Sequence, residues 1–269
     1  MDLAPRRILG RTGLTVSPIG FGGFKIGRNQ GIKYDSAYDL PTEAAAEALL
    51  NAVLDLGIDL IDTAPAYGSS EERIGGALAA RRSEFTLTSK VGETWEDGAG
   101  RYDFSATAID HSLDRSLRRL RTDRIDVVFI HSDGNDLEII EHGDALETLA
   151  RRRDAGDIAA IGFSGKTIPG HQAAIDTGLV DCLMVEYHSM DESQRVIIDR
   201  AESAGIGVLI KKGLASGRLR PEEAIPHCLA PSGVSSVVIG SLTLAHLASN
   251  LDIARRACGQ GEQGSQAGT

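Results

Sequence analysis

Short apolar runs alternate along most of the chain with longer stretches of helical periodicity. The runs cover residues 18–21, 58–61, 85–91, 125–130, 158–162, 182–185, 207–210 and 236–239, and each is short and continuously apolar enough for a strand buried on both faces. The stretches between them predict helices over 42–57, 69–82, 105–120, 144–155, 172–177, 193–204, 221–229 and 243–257. Local signals support the boundaries. Thr42 stands at an N-cap position, Gly57 follows the same helix, and Ser69-Ser70-Glu71-Glu72 reads as a capping-box start. Ahead of the first unit, residues 6–9 and 14–16 flank a Gly10-Arg11-Thr12-Gly13 loop and predict a β-hairpin. Two long polar loops, 22–41 and 92–104, interrupt the rhythm.

Eight strand-helix units in about 250 residues have the size and period of a (β/α)8 TIM barrel. The expected fold is therefore α/β, one barrel domain over 1–258 with an N-terminal β-hairpin, and a Gly/Gln/Ser-rich tail, 259–269, expected to be disordered. The rival is a doubly wound nucleotide-binding sheet, which asks for GxGxxG after its first strand; Gly20-Phe21-Gly22-Gly23-Phe24 does not supply it.

Composition narrows the partners. A formal charge of −10 argues against nucleic acid or an anionic membrane surface as a principal partner. Cys182, Cys228 and Cys258 are widely spaced and odd in number, suggesting neither a disulfide framework nor a metal site. No run approaches transmembrane length and Met1–Arg7 has no apolar leader stretch, so the expected location is cytoplasmic.

In a barrel of this kind functional residues gather at the carboxyl ends of strands. That rule selects Asp62 after the second run, Lys90 in the third and His131 after the fourth. Period-2 alternation groups Leu60 with Asp62, Thr88 with Lys90, and Phe129 with His131, which aims a carboxylate, an ammonium and an imidazole into one mouth. Tyr67 sits beyond them in a Pro/Gly turn. Each alone is most simply a solvated strand end or a packing residue, but four converging ionisable groups are costly unless paired.

Ile61-Asp62-Thr63-Ala64 with Tyr67-Gly68, Thr88-Ser89-Lys90-Val91 and Phe129-Ile130-His131 resemble the Asp, Tyr, Lys and His tetrad of the aldo-keto reductase family. Leu9–Ser17, Ile161–Ser164 and Val238–Gly240 are similar to that family too, so the resemblance spans residues 6 to 258. It implies hydride transfer between a nicotinamide nucleotide and a small-molecule carbonyl or alcohol. Tyr67 would be the general acid, Lys90 would lower its pKa, Asp62 would hold Lys90, and His131 would donate to the substrate oxygen.

The resemblance also implies a cofactor site of Gly23, Phe24, Ser164, Tyr187, Lys211, Gly213, Leu214, Ser216, Gly240, Ser241 and Asn250. Tyr187 would stack on the nicotinamide or serve as a rim residue, Gly240 and Ser241 would meet phosphate, and Asn250 would meet adenine. Met184, Gly165 and Leu242 depart from the family's pattern, where glutamine, asparagine and a basic residue are common. Leu242 would then lie at the 2′-phosphate, which weakens but does not displace NADP as the expected cofactor, with NAD open and Lys211, Lys212 or Arg218 able to compensate. Trp95, the only tryptophan, either walls the substrate pocket or packs on the rim. Two other functions remain: a nucleotide-binding sensor with little turnover, and a Schiff-base barrel using Lys90, which leaves Tyr67 and Asp62 without roles.

Overall fold

A computed structural model describes residues 5–32 and 37–264 of the chain. Eight parallel strands close into a barrel: Ile19–Gly22, Leu60–Asp62, Thr86–Val91, Ile125–His131, Ile158–Ser164, Cys182–Glu186, Gly207–Lys211 and Val234–Ile239. Closure comes where the eighth strand pairs with the first, Val237 opposite Ile19 and Ile239 opposite Phe21. Each expected run lands on a barrel strand. The first, second, fourth, fifth, sixth and seventh reach one or two residues further at the carboxyl end than expected, and those added ends include Asp62, His131, Ser164, Glu186 and Lys211. The strands therefore carry their polar residues as part of the ladder.

Two apolar layers account for the continuous runs. One face of the strands packs outward on the helices; Ile61, Leu87, Val128, Ile161, Leu183 and Ile210 belong to that core with Leu50, Leu113, Leu149 and Ile198. The other face fills the barrel with Leu60, Val127, Phe129, Ala160, Cys182, Met184 and Leu209. The hairpin closes the amino end from below: Arg7–Ile8 pairs antiparallel with Thr15–Val16, and Leu9 and Val16 enter the inner layer with no exposure. Burying such side chains is worth about 1.5–3 kcal/mol each. Gly162 makes room inside the barrel, since a Cβ there would lie 2.3 Å from the Phe129 ring.

The helices follow the expected order with local differences. Thr42 accepts from Ala45 N at 3.2 Å and caps Glu43–Asp55, as its position implied. The capping box at Ser69 does not form: Ser69 makes no side-chain cap bond. Ser70 Oγ accepts instead from Thr63 Oγ1, and Glu71 turns inward to take Ser89 Oγ at 2.8 Å with no exposure. The helix itself stops at Leu78 and continues as 3-10 turns over Ala79–Glu84. The loop expected over 92–104 contains a two-stranded ribbon, Glu93–Glu96 with Ala99–Tyr102. The last helix, expected to end near 257, runs Leu244–Gly264 and takes in the start of the tail; residues 265–269 lie outside the described residues. No helix of the described residues is long and apolar enough to cross a membrane.

Candidate active site

At the carboxyl end of the barrel the inward alternation turns polar. Lys90 Nζ donates to Asp62 Oδ1 at 2.7 Å, Asp62 Oδ2 at 2.8 Å and Thr63 O at 2.9 Å. Thr88, one period below Lys90, donates to Asp62 Oδ1 at 2.7 Å. Lys90 is 1% and Asp62 3% exposed, so all three ammonium donors are satisfied away from water. Burial would pull the Lys90 pKa down, but the Asp62 charge and Tyr67 hold it above the ordinary lysine value. The ammonium therefore stays charged.

Tyr67 reaches this pair from a tight turn in which its N–H donates to Ala64 O at 2.9 Å. Gly68 follows at φ +61°, and a Cβ there would stand 2.2 Å from Gly27 O, so the turn fits only with glycine. The phenol ring lies with its centroid 4.8 Å from Lys90 Nζ, edge-on to Phe24 at 5.2 Å and edge-on to His131 at 6.3 Å. The sequence implied a phenol made more acidic by Lys90. The net effect is the reverse: burial pushes the Tyr67 pKa up to about 12, with Lys90 pulling down and Asp62 pushing up. Physically, Asp62 bonds both of its oxygens to Lys90 and cancels much of the field that the ammonium would exert on the ring.

His131 brings a partner that the sequence reading missed. Its Nδ1 lies 2.7 Å from Glu93 Oε2, close enough for a hydrogen bond though not fully aligned for one, with the two side chains 21% and 12% exposed. Glu93 opens the ribbon directly opposite Tyr102, which hydrogen-bonds the same carboxylate. Two residues on, Trp95 stacks under the Arg28 guanidinium, 3.1 Å from the ring centroid, so Trp95 clasps the first loop. The signal was present: a carboxylate two residues past a strand end, at the spacing of one face with Trp95.

The other side of the mouth holds the candidate cofactor residues. Lys211 Nζ donates to Ser164 Oγ at 3.0 Å and Gly165 O at 2.8 Å. Burial lowers its pKa to about 7, with Lys212 and Lys90 pushing the same way and Glu186 opposing. Gly213, Leu214, Ser216, Gly240 and Asn250 come together around a cavity of about 470 Å³, joined by Lys25, Lys212, Glu222 and His246. Two of its lining residues, Lys212 and Ser216, have φ of +54° and +60°, left-handed backbone at non-glycine residues. Ser241 Oγ accepts from Thr243 N at 3.1 Å at the start of the last helix, beside the cavity. Gly23 N donates to Asp62 O at 2.7 Å, which keeps the first loop against the end of the second strand.

Three expected placements differ. Tyr187 is 3% exposed and one face of its ring is stacked on His227 at 5.1 Å, so the open face that stacking on a nicotinamide requires is not presented there. Met184 is a packing residue of the inner layer, opposite Leu209. Leu242 packs on the outer core and does not line the cavity, so its lack of charge says little about a 2′-phosphate. Among the described residues no group of three or more His, Cys, Asp or Glu could hold a metal ion.

The aldo/keto reductase family model matches residues 18–227. The chain belongs to that family. Within it, a solved structure of a putative aldo-keto reductase from Pseudomonas aeruginosa is 42% identical, covers 94% of this chain and 95% of its own, and superposes with a TM-score of 0.86. The holo form of an aldo-keto reductase from Bacillus halodurans is 24% identical over 96% of each chain, with a TM-score of 0.81, and shares the fold. L-Galactose dehydrogenase of Arabidopsis thaliana is 28% identical over 91% of this chain and 86% of its own length. This aldo-keto reductase is thus an oxidoreductase by family, and its polar mouth lies where barrel enzymes carry chemistry.

Proposed function

We propose that the protein interconverts a small carbonyl compound and its alcohol with a nicotinamide nucleotide, using Asp62, Tyr67, Lys90 and His131. The observation that carries this reading is the buried Asp62–Lys90 pair set against the Tyr67 ring with His131 edge-on to the same phenol. A phenol whose pKa is pushed up to about 12 is fully protonated near neutrality, the state needed to give a proton to a forming alkoxide. Lys90 keeps that proton transferable by opposing the rise, and Asp62 keeps Lys90 charged and in place.

The residues present fit a nicotinamide nucleotide. The roughly 470 Å³ cavity offers Lys25 for phosphate, a glycine-bearing loop at Gly213 and Gly217, and Asn250, and Ser164 with Lys211 leads from it toward Lys90. When bound, that group supplies the hydride. NADP is favoured over NAD because Lys25 lines the cavity, and Lys212, paired with Glu186, stands beside it.

Steady-state assays with NADPH and NADH against aldehydes, ketones and the corresponding alcohols test the proposal. Tyr67→Phe is expected to lower kcat by about 10²- to 10⁴-fold in both directions. Turnover indifferent to that substitution would remove Tyr67 from the proton step. Tight cofactor binding without turnover of any of these compounds would favour a sensor instead.

A further inference from the structure

Beside the tetrad stands a cation that neither the proton step nor the nucleotide cavity uses. The helical turn Phe24–Gly27 ends at Arg28, whose N–H donates to Phe24 O at 3.0 Å and whose guanidinium lies over the Trp95 ring. We infer that Arg28 anchors a carboxylate on the substrate, so that the site takes small carbonyl compounds, and the alcohols matching them, that carry an acid group. This substrate class rests on the carbonyl–alcohol reading above and narrows it.

Three loops place the guanidinium at the mouth. Its Nη1 donates to Ala66 O at 3.0 Å, on the residue before Tyr67, and its Nε donates to Gln30 O at 2.8 Å within the first loop. Its central carbon sits 3.1 Å from the ring centroid of Trp95, on the ribbon that begins with Glu93, and 5.4 Å from that of Phe24. Gly31 packs against ring and cation together: a Cβ there would stand 2.8 Å from Arg28 Nη2 and 2.8 Å from Trp95, so the guanidinium is pinned. Phe24 is also edge-on to the Tyr67 phenol at 5.2 Å, so one aromatic ring borders both the proton donor and the cation. Phe24, Tyr67, Trp95 and His131 are all partly exposed, which leaves this side of the mouth open to a ligand.

The charge of Arg28 lacks a counter-ion. Among the described residues no carboxylate forms an ion pair with it, and burial holds its pKa below the ordinary guanidinium value although Glu93 pulls the other way. Glu93 is committed elsewhere, with its carboxylate against His131 Nδ1 and the Tyr102 hydroxyl. A guanidinium has five N–H groups, and two of these donate to backbone oxygens, so Nη2 is left without a protein acceptor among the described residues and is not sealed from solvent. Stacking on Trp95 holds the free N–H groups in one plane, the arrangement that suits a planar acceptor. A carboxylate brings coplanar oxygens and one negative charge, which relieves the cost of a half-buried unpaired cation. A neutral carbonyl compound leaves that cost in place, and a phosphate dianion sets a second charge against Glu93.

Matched substrates separate this from a role confined to clasping the loops. With kcat/KM measured for succinate semialdehyde and for its methyl ester, wild type should favour the acid, and Arg28→Met should cut the acid-to-ester ratio about 10- to 100-fold. Arg28→Lys, which returns the charge without the planar fork, should restore part of the ratio. A loosened clasp lowers both substrates alike, so an unchanged ratio, or a wild type that prefers the ester, would overturn the assignment. A second measurement needs no turnover. Trp95 is the only tryptophan, so its emission reports on the cation stacked against it. Butanoate should change that emission saturably in wild type and not in Arg28→Met, while butanamide should change neither. A butanoate response that survives Arg28→Met, or none in wild type, would likewise overturn the assignment. A saturable response with no turnover of any carbonyl or alcohol would refute the oxidoreductase reading and leave the carboxylate site standing.

Discussion

The two arcs of the barrel mouth are built on opposite electrostatic plans. On the arc formed by the second to fourth strands, the buried charge is matched in place: Lys90 donates to both oxygens of Asp62. On the arc formed by the fifth to eighth strands, Lys211 is held by a hydroxyl and a carbonyl, and the loop beyond it carries three non-glycine residues in left-handed backbone. The first arc is complete as it stands. The second keeps a cation in a costly position and a strained loop beside a cavity, the arrangement expected where the balancing charge arrives with a ligand.

The sharpest way to break that contrast is to remove one charge from each arc. Asp62→Asn leaves Lys90 buried without its counter-ion and should cost about 3–5 kcal/mol of stability in urea denaturation. Lys211→Met removes a half-buried amine whose hydrogen-bond partners are neutral oxygens, and stability should hold or rise while affinity for the nicotinamide nucleotide falls. Equal destabilisation by both would show that Lys211 is as well compensated as Lys90.

The pH dependence of stability separates the arcs next. The Lys211 pKa is about 7 folded against an ordinary value of 10.5, so between those values the unfolded chain binds the extra proton. The cost of burying the charged ammonium is fully present below pH 7 and is relieved as pH rises toward 10.5. Wild type should gain stability across that window relative to Lys211→Met. Two stability curves that run parallel from pH 7 to 9.5 would count against a depressed Lys211.

Which parts of this could be read from sequence follows the same division. The fold and the convergence of Asp62, Lys90 and His131 on one mouth were legible because strands buried on both faces are continuous apolar runs, and because these three stand at run ends at period-2 spacing. Glu93 was passed over because the ribbon segment that brings it to His131, Glu93-Thr94-Trp95-Glu96, has no apolar run, and only its place two residues past a strand end marked it. The acidity of Tyr67 was misjudged for a different reason: a sequence places Lys90 near the phenol but does not weigh burial and Asp62 against it. On the far arc, Tyr187 and Leu242 were assigned by position along the chain, whereas packing turns the one against His227 and the other onto the core.

Leu242 and Lys25 give the smallest expected effects and bear on cofactor choice. Had Leu242 lined the cavity, Leu242→Arg would strengthen NADPH binding more than NADH binding. Since it packs on the outer core, the substitution should change the two affinities by a similar factor, below about twofold, and cost some stability. Lys25 does line the cavity, with Lys212 and His246, so Lys25→Ala should weaken NADPH about 3- to 5-fold more than NADH in fluorescence titrations, and less so at high salt. Equal weakening of both nucleotides would place Lys25 at the shared pyrophosphate, leaving Lys212 and His246 to discriminate against Glu222.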